Sequence, residues 1–212
     1  MTQPAIPIQN IYYLLAYAWD HFREGQQQDI SPVDCPDSLN LLAHLLAMGI
    51  SRLATRGMDK SYELIEEETP RLRGRFDLVG SYRRATHLAG RLHCEFDELT
   101  ADTLPNRILK STCQRLSRST RQLTKRNRGA IRRADDLLRD ISTVHLSPRV
   151  FHRVQLHRNN RHYRFLLNIC ELLYACYLPS QRAGRGRFAD ILEDETRMHE
   201  LFEKFVLRFA RR

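Results

Sequence analysis

Three carboxylates stand close together at Asp97, Glu98 and Asp102, in the run FDELTADTLPNR. Such a group could hold a divalent cation that activates water. No second carboxylate cluster with nuclease-like spacing accompanies it, however. Capping by Thr100 or Asp102 of a helix that begins near Leu104 is the simpler role. The other metal-binding side chains are scattered. His152, His157 and His162 recur every five residues, which matches neither a helix face nor a strand face. Cys35, Cys94, Cys113, Cys170 and Cys176 include no CxxC pair and read as reduced, mostly buried thiols. Gly184 and Gly186, in RAGRGRF, are too few for a phosphate loop and lack the strand–loop–helix setting. No metal site and no nucleotide site is predicted in the chain.

Arginine is the residue type that stands out. The 212 residues carry 34 Lys and Arg, of which only Lys60, Lys110, Lys125 and Lys204 are lysine, and the net charge is +9. From Leu104 to Arg164, sixteen basic residues face three Asp, so this segment is net +13 and the remainder net negative. Arg115, Arg118, Arg121, Lys125, Arg126, Arg128, Arg132 and Arg133 all precede the first acid, Asp135. Guanidinium groups bind phosphate in bidentate fashion, and an unmixed basic face repels itself unless a polyanion covers it. Spacings of eleven (Arg115 to Arg126) and seven (Arg118 to Lys125) share a side if one helix runs unbroken. A plain solvated face accounts for the pattern equally well. No base-reading motif is present, so any DNA contact is expected to be to the backbone, without sequence choice. A second basic set, Arg71, Arg73, Arg75, Arg83 and Arg84 with Arg91, follows the acidic run EEETP. It reads as a charged edge strand that resists pairing, or as a partner-binding surface.

The elements that must carry these residues are mainly helical. A first helix is expected over 10–22, with Asn10 as cap and Ile11, Leu14, Leu15, Ala18 and Phe22 on one face. A polar connector over 25–36 leads to a second helix from Asp37 to Arg56, closed by Gly57. Period-two alternation then predicts short strands around Tyr62–Leu64, Leu72–Phe76 and Leu92–Phe96, in a small antiparallel sheet. Helices return from Leu104, with Pro105 in the first turn, to about Thr124. A basic break, KRNRG, precedes a further helix over 130–139, and 141–146 reads as a short strand. An apolar helix over 161–178, a basic loop over 180–188 and a helix from Met198 complete the chain. The expected class is α+β, mainly helical, with a small antiparallel β unit inserted between the N-terminal helices and the Arg-rich helices. The expected segments are 1–60 (helical), 61–100 (β unit) and 101–212 (helical). No run of 18 apolar residues could span a membrane. No secretory leader pattern is seen either, so a cytoplasmic location is expected.

Six strings, in order, resemble the McrC family, the nuclease subunit of the modified-cytosine restriction system. They are IPIQNIYYLLAYAWD (6–20), GRFDL (74–78), FDELTADTLPNRILKST (96–112), ISTVHLSP (141–148) with YRFLL (163–167), and MHELFEKFVLRFARR (198–212). The resemblance implies a phage-defence complex that cleaves DNA containing 5-methylcytosine, driven by GTP hydrolysis in an AAA+ partner, the McrB hexamer. It implies that the front part of the subunit docks on that partner and stimulates it, which would suit Arg71, Arg73, Arg75, Arg83 and Arg84. Methylated-base readout would then be the partner's task. The family's nuclease is of the PD-(D/E)xK type, whose carboxylates hold Mg2+ while the Lys adds positive charge. Here no Asp or Glu is followed two residues later by Lys.

The apolar stripe Met198, Leu201, Phe202, Phe205, Val206 and Phe209 ends on Arg211 and Arg212 with no stop signal. The expectation is therefore a chain cut before its nuclease domain, with no catalytic residues and no nuclease activity alone. Mg2+ would belong to that absent domain and GTP to the partner. The alternative is a stand-alone, non-enzymatic protein that binds DNA through the Arg-rich helices.

Overall fold

The computed structural model of the protein describes residues 10, 35–118, 122–157, 160, 162–176 and 203. Asn10 and Glu203 are helical and exposed. The rest of the helices expected over 10–22 and from Met198, most of the 25–36 connector, and the 180–188 loop lie outside the described residues. The chain divides into a helical unit, drawn from Met1–Met58 and Leu104–Arg212, and a β unit, Asp59–Thr103. The class is α+β, mainly helical, with one three-stranded antiparallel sheet.

In the helical unit, α1 (Ser38–Arg56) starts where the Asp37 carboxylate accepts the Asn40 N–H at 2.7 Å and closes at Gly57. Its first three turns are buried nearly all round, from Ser38 to Ala43 and again from Leu45 to Ala47. Helices on more than one side must therefore cover it, beyond the single apolar stripe read from periodicity. The α4 (Lys125–Leu137) and α6 (Tyr163–Cys176) helices both pack on it, and α3 (Leu104–Arg118) packs on α4 and α6 in turn. Gly49 lets α6 come close: a Cβ there would lie 2.1 Å from Leu166 Cδ2. Ile108, Leu109, Thr112 and Leu116 of α3 are buried as their spacing predicts. A short α5 (Pro148–His152) precedes α6.

Buried polar groups pin these helices together. The Asn40 side chain donates to the Gln122 carbonyl (3.1 Å) and accepts from the Thr124 N–H (2.9 Å) and Asn127 Nδ2 (3.0 Å). The start of α1 is thereby tied to the start of α4. Tyr163 OH donates to Asn106 Oδ1 at 2.7 Å, joining α6 to α3. Lys110 Nζ sits 3.0 Å from Asp135 Oδ1 and donates to the Asp135 carbonyl at 3.1 Å, joining α3 to α4.

In the β unit, β1 (Ser61–Thr69) pairs antiparallel with β3 (Leu92–Thr100) over nine residues, from Ser61 opposite Thr100 to Thr69 opposite Leu92. A two-residue β2 (Arg75–Phe76) flanks β3 on the other side, giving the order β1-β3-β2. Between β2 and β3 lie α2 (Leu78–Arg83) and a 3-10 turn (Thr86–Ala89).

Three expectations are corrected. The alternation over 71–77 does not make a full strand: Gly74 turns the chain at φ 62, and Asp77 leaves the sheet to cap α2 through the Gly80 N–H at 2.9 Å. KRNRG is not a break but the first turns of α4. Thr124 accepts the Asn127 N–H there, and burial of Asn127 holds those turns in place. The strand expected over 141–146 does not form: these residues join no sheet among the described residues, and the Val144 N–H donates instead to Ser111 Oγ at 2.8 Å.

Candidate functional site

Both basic sets can now be placed, one in each unit. In the β unit, Arg71, Arg73, Arg75, Arg83 and Arg84 are all exposed. Arg73 and Arg75 are oriented by the sheet. The Arg73 guanidinium lies 3.8 Å from the Phe96 ring centroid and 4.0 Å from Glu98, on one face. Arg75 reaches Glu95 at 3.9 Å on the opposite face, with its own side chain 85% exposed. Such open ion pairs contribute little to stability. They leave both guanidinium groups accessible. Arg84 Nη1 approaches Nδ1 of the buried His93 at 3.4 Å, and Nε2 of that ring lies 3.7 Å from Glu66.

The register sorts the sheet's faces. Tyr62 stands opposite Leu99, with Leu64 on the same side of β1 two residues on. All three are exposed, at 73%, 50% and 61%. The His93 end of this face is covered by α2, where Ser81 Oγ accepts the His93 N–H. Among the described residues, no element of the β unit covers the Tyr62 end in this way. Leu78, Val79 and Tyr82 of α2 and Leu88 of the 3-10 turn are exposed too. Sequence reading missed this apolar set. Period two marks Tyr62 and Leu64 as inward only if something lies against that face. Asp97 and Glu98, adjacent on β3, point to opposite faces and cannot share one ion. Thr100 Oγ1 accepts the Asp102 N–H at 3.0 Å, a turn role. Among the described residues no three His, Cys, Asp or Glu side chains converge as a metal site would require.

In the helical unit, α3 ends at Arg118 and α4 begins at Lys125, so the spacings from Arg115 and Arg118 into α4 do not lie on one continuous helix. This corrects the single-face expectation. Arg121 lies outside the described residues. Arg115 is half-buried, its guanidinium 5.4 Å from the Tyr174 ring centroid on α6. Arg128 is half-buried and donates to the Leu123 carbonyl at 3.1 Å. Arg118 is exposed at the end of α3, and Lys125, Arg126, Arg132 and Arg133 are exposed on α4. The core side of α4 is Asn127, Ile131 and Ala134. At about 100° per residue, the four exposed α4 cations lie on the side away from it. The structure thus gathers these four and assigns Arg115 and Arg128 to packing contacts.

The same composite of helices and sheet is found in known proteins. Residues 9–212 match the family described as McrBC 5-methylcytosine restriction system component. The chain is 34% identical over all 212 residues to the Escherichia coli K12 type IV methyl-directed restriction enzyme EcoKMcrBC, and spans 61% of that protein's length. A chain of the cryo-EM structure of the Thermococcus gammatolerans McrBC complex superposes at a TM-score of 0.66. The match has 24% identity and covers 97% of this chain and 58% of that one. A second match, at 0.61 and 23% identity, is to a half-complex from a tetradecameric assembly of T. gammatolerans McrB AAA+ hexamers with bound McrC. It covers 95% of this chain and 45% of the other. The family match over nearly the full length, with a relative at 34% identity, settles the affiliation: the chain belongs to the McrBC 5-methylcytosine restriction system component family.

Proposed function

We propose that this chain is the partner-engaging portion of an McrC-like subunit. In this reading the β unit docks on an McrB-like AAA+ GTPase hexamer and stimulates its GTP hydrolysis. The exposed cations of α3 and α4 contact the backbone of double-stranded DNA in a complex that cleaves at methylated cytosine. DNA cleavage and its Mg2+ are assigned to residues other than these 212, and GTP to the partner.

The observation that carries the reading is the distribution of exposed apolar side chains. Among the described residues ten large hydrophobics are exposed, and nine of them, all but Leu137, lie within the β unit. Apolar exposure concentrated in one unit in this way is a feature of protein interaction sites. Arg75, on the Glu95 face that also carries Leu99, and the exposed Arg83 and Arg84 of α2 and its cap supply the polar groups that such an interface needs.

The test mixes the chain with the ring-forming GTPase of the same system and follows GTP turnover and plasmid nicking. Faster turnover without nicking is expected. Nicking by the purified chain would overturn the assignment of chemistry elsewhere. DNA binding with no effect on turnover would leave the stand-alone DNA-binding protein as the better reading.

A further inference from the structure

Gly129 is half-buried in the interior of α4, four residues after its first, on the side facing away from the core. Glycine there weakens a helix relative to alanine. A packing reason would be a neighbour that excludes a Cβ, as Leu166 does at Gly49. None exists at Gly129: the nearest heavy atom to a Cβ built there is Arg133 Nη1, at 3.6 Å, an ordinary contact. Its backbone is helical, so no left-handed conformation calls for glycine. The fold itself therefore gives no reason for the missing side chain.

The surroundings supply one. Lys125 and Arg133 lie one turn to either side, about 6 Å along the axis, and Arg132 flanks them. All three are exposed, and no ion pair engages them among the described residues. Arg126 shares this side but has an interaction of its own. The one acid on the face, Asp136, is at its far end, a turn beyond Arg132. The exposed apolar side chain of α4, Leu137, stands at its C-terminal end, one turn beyond Arg133, so the cations enclose no apolar anchor for a hot spot. A phosphodiester backbone needs only charge and close approach.

We propose that Gly129 is a backbone-approach point for duplex DNA: a phosphate seats against the helix backbone there, beside the Arg133 guanidinium that lies over it, and is held by Lys125, Arg132 and Arg133. The proposal deepens the DNA-contact part of the reading above and rests on it. It predicts that helix stability and DNA affinity move in opposite directions at one residue.

The experiment uses the 212-residue chain, a fluorescent 30-base-pair duplex of arbitrary sequence, and several salt concentrations. Gly129→Ala is expected to raise the melting temperature by about 2–4 °C while weakening DNA binding about fivefold to tenfold, with no charge altered. Arg132→Ala with Arg133→Ala is expected to weaken binding and to flatten the salt dependence by about two phosphate contacts. Unchanged affinity in Gly129→Ala, with loss in the arginine variant, would overturn the approach point and leave DNA contact by α4 standing. Unchanged affinity in both would overturn the DNA contact as well, whether or not either variant impairs association with the GTPase ring.

Discussion

At the scale of single residues, the helical unit depends on side chains whose importance composition hides. Asn40 serves α1 and α4 at once, accepting from the Thr124 N–H and Asn127 Nδ2 while donating to the Gln122 carbonyl. Asn40→Ala would strand those partners in a buried site, so a loss of about 2–4 kcal/mol is expected in urea unfolding. Asn40 Nδ2 also meets the Asp37 carboxylate, as a capping residue's neighbour can, but the partners that make it a core residue are more than eighty positions away and leave no local signal. The cysteines, by contrast, were legible as buried thiols, and Cys35, Cys94, Cys113 and Cys170 are all buried. Burial pushes Cys170 up from its ordinary 9.0 to about 12, against an opposing Thr112 hydrogen bond. Burial raises Cys113 as well, reinforced by Cys170 and Asp135 and opposed by Lys110. Between these limits the unfolded chain has released a proton that the folded chain keeps, so stability falls as pH rises from about 9 toward 12. Each thiol contributes at most about 1.4 kcal/mol per pH unit. Cys170→Ala should flatten this alkaline slope, whatever it does to absolute stability; an unchanged slope would show that the thiol is not the titrating group.

At the scale of elements, what was legible followed from local chemistry. Asp37, Gly57 and Pro105 mark helix ends whose signals are complete within a few residues, and α1 and α3 begin where they say. The errors arose where a distant contact decides. Alternation over 71–77 looked like a strand, but the turn at Gly74 and the cap at Asp77 leave only Arg75 and Phe76 in the ladder. The run KRNRG looked like a break until Thr124 and the buried Asn127 anchored it as helix. The short α2 was missed because six residues are too few for a periodic signal. Gly74 offers an element-level test. A Cβ there would meet the Glu95 carbonyl oxygen at 2.4 Å, at a φ of +62 that L side chains avoid. Gly74→Ala should break the β2–β3 pairing and open the β unit to limited proteolysis within 59–103, while fragments of the helical unit stay protected. Equal protection of both units would mean that the turn is dispensable. Of the two basic surfaces, charge and location were visible in the sequence. The division of labour among the α3 and α4 arginines was not, because the Arg115 contact with Tyr174 and the Arg128 contact with Leu123 depend on packing.

At the scale of the whole molecule, the two candidate surfaces differ in kind. The β unit exposes both apolar side chains and arginines, as a protein interface does. The outer side of α4 exposes cations with no apolar anchor between them, as a phosphate-backbone contact does. The proposed function gives these two surfaces two unlike partners, and substitutions should separate them. The most direct measurement is GTP turnover by the ring-forming GTPase of the system, with the chain added as Tyr62→Glu/Leu64→Glu or as Arg132→Ala/Arg133→Ala. Both pairs are exposed, so each variant should keep the fold, which circular dichroism checks. The predicted result is stimulation by the unaltered chain and by the arginine variant, and a loss of about tenfold or more in the β-unit variant. Full stimulation by a folded Tyr62→Glu/Leu64→Glu chain would contradict the assignment of the β unit as the docking surface.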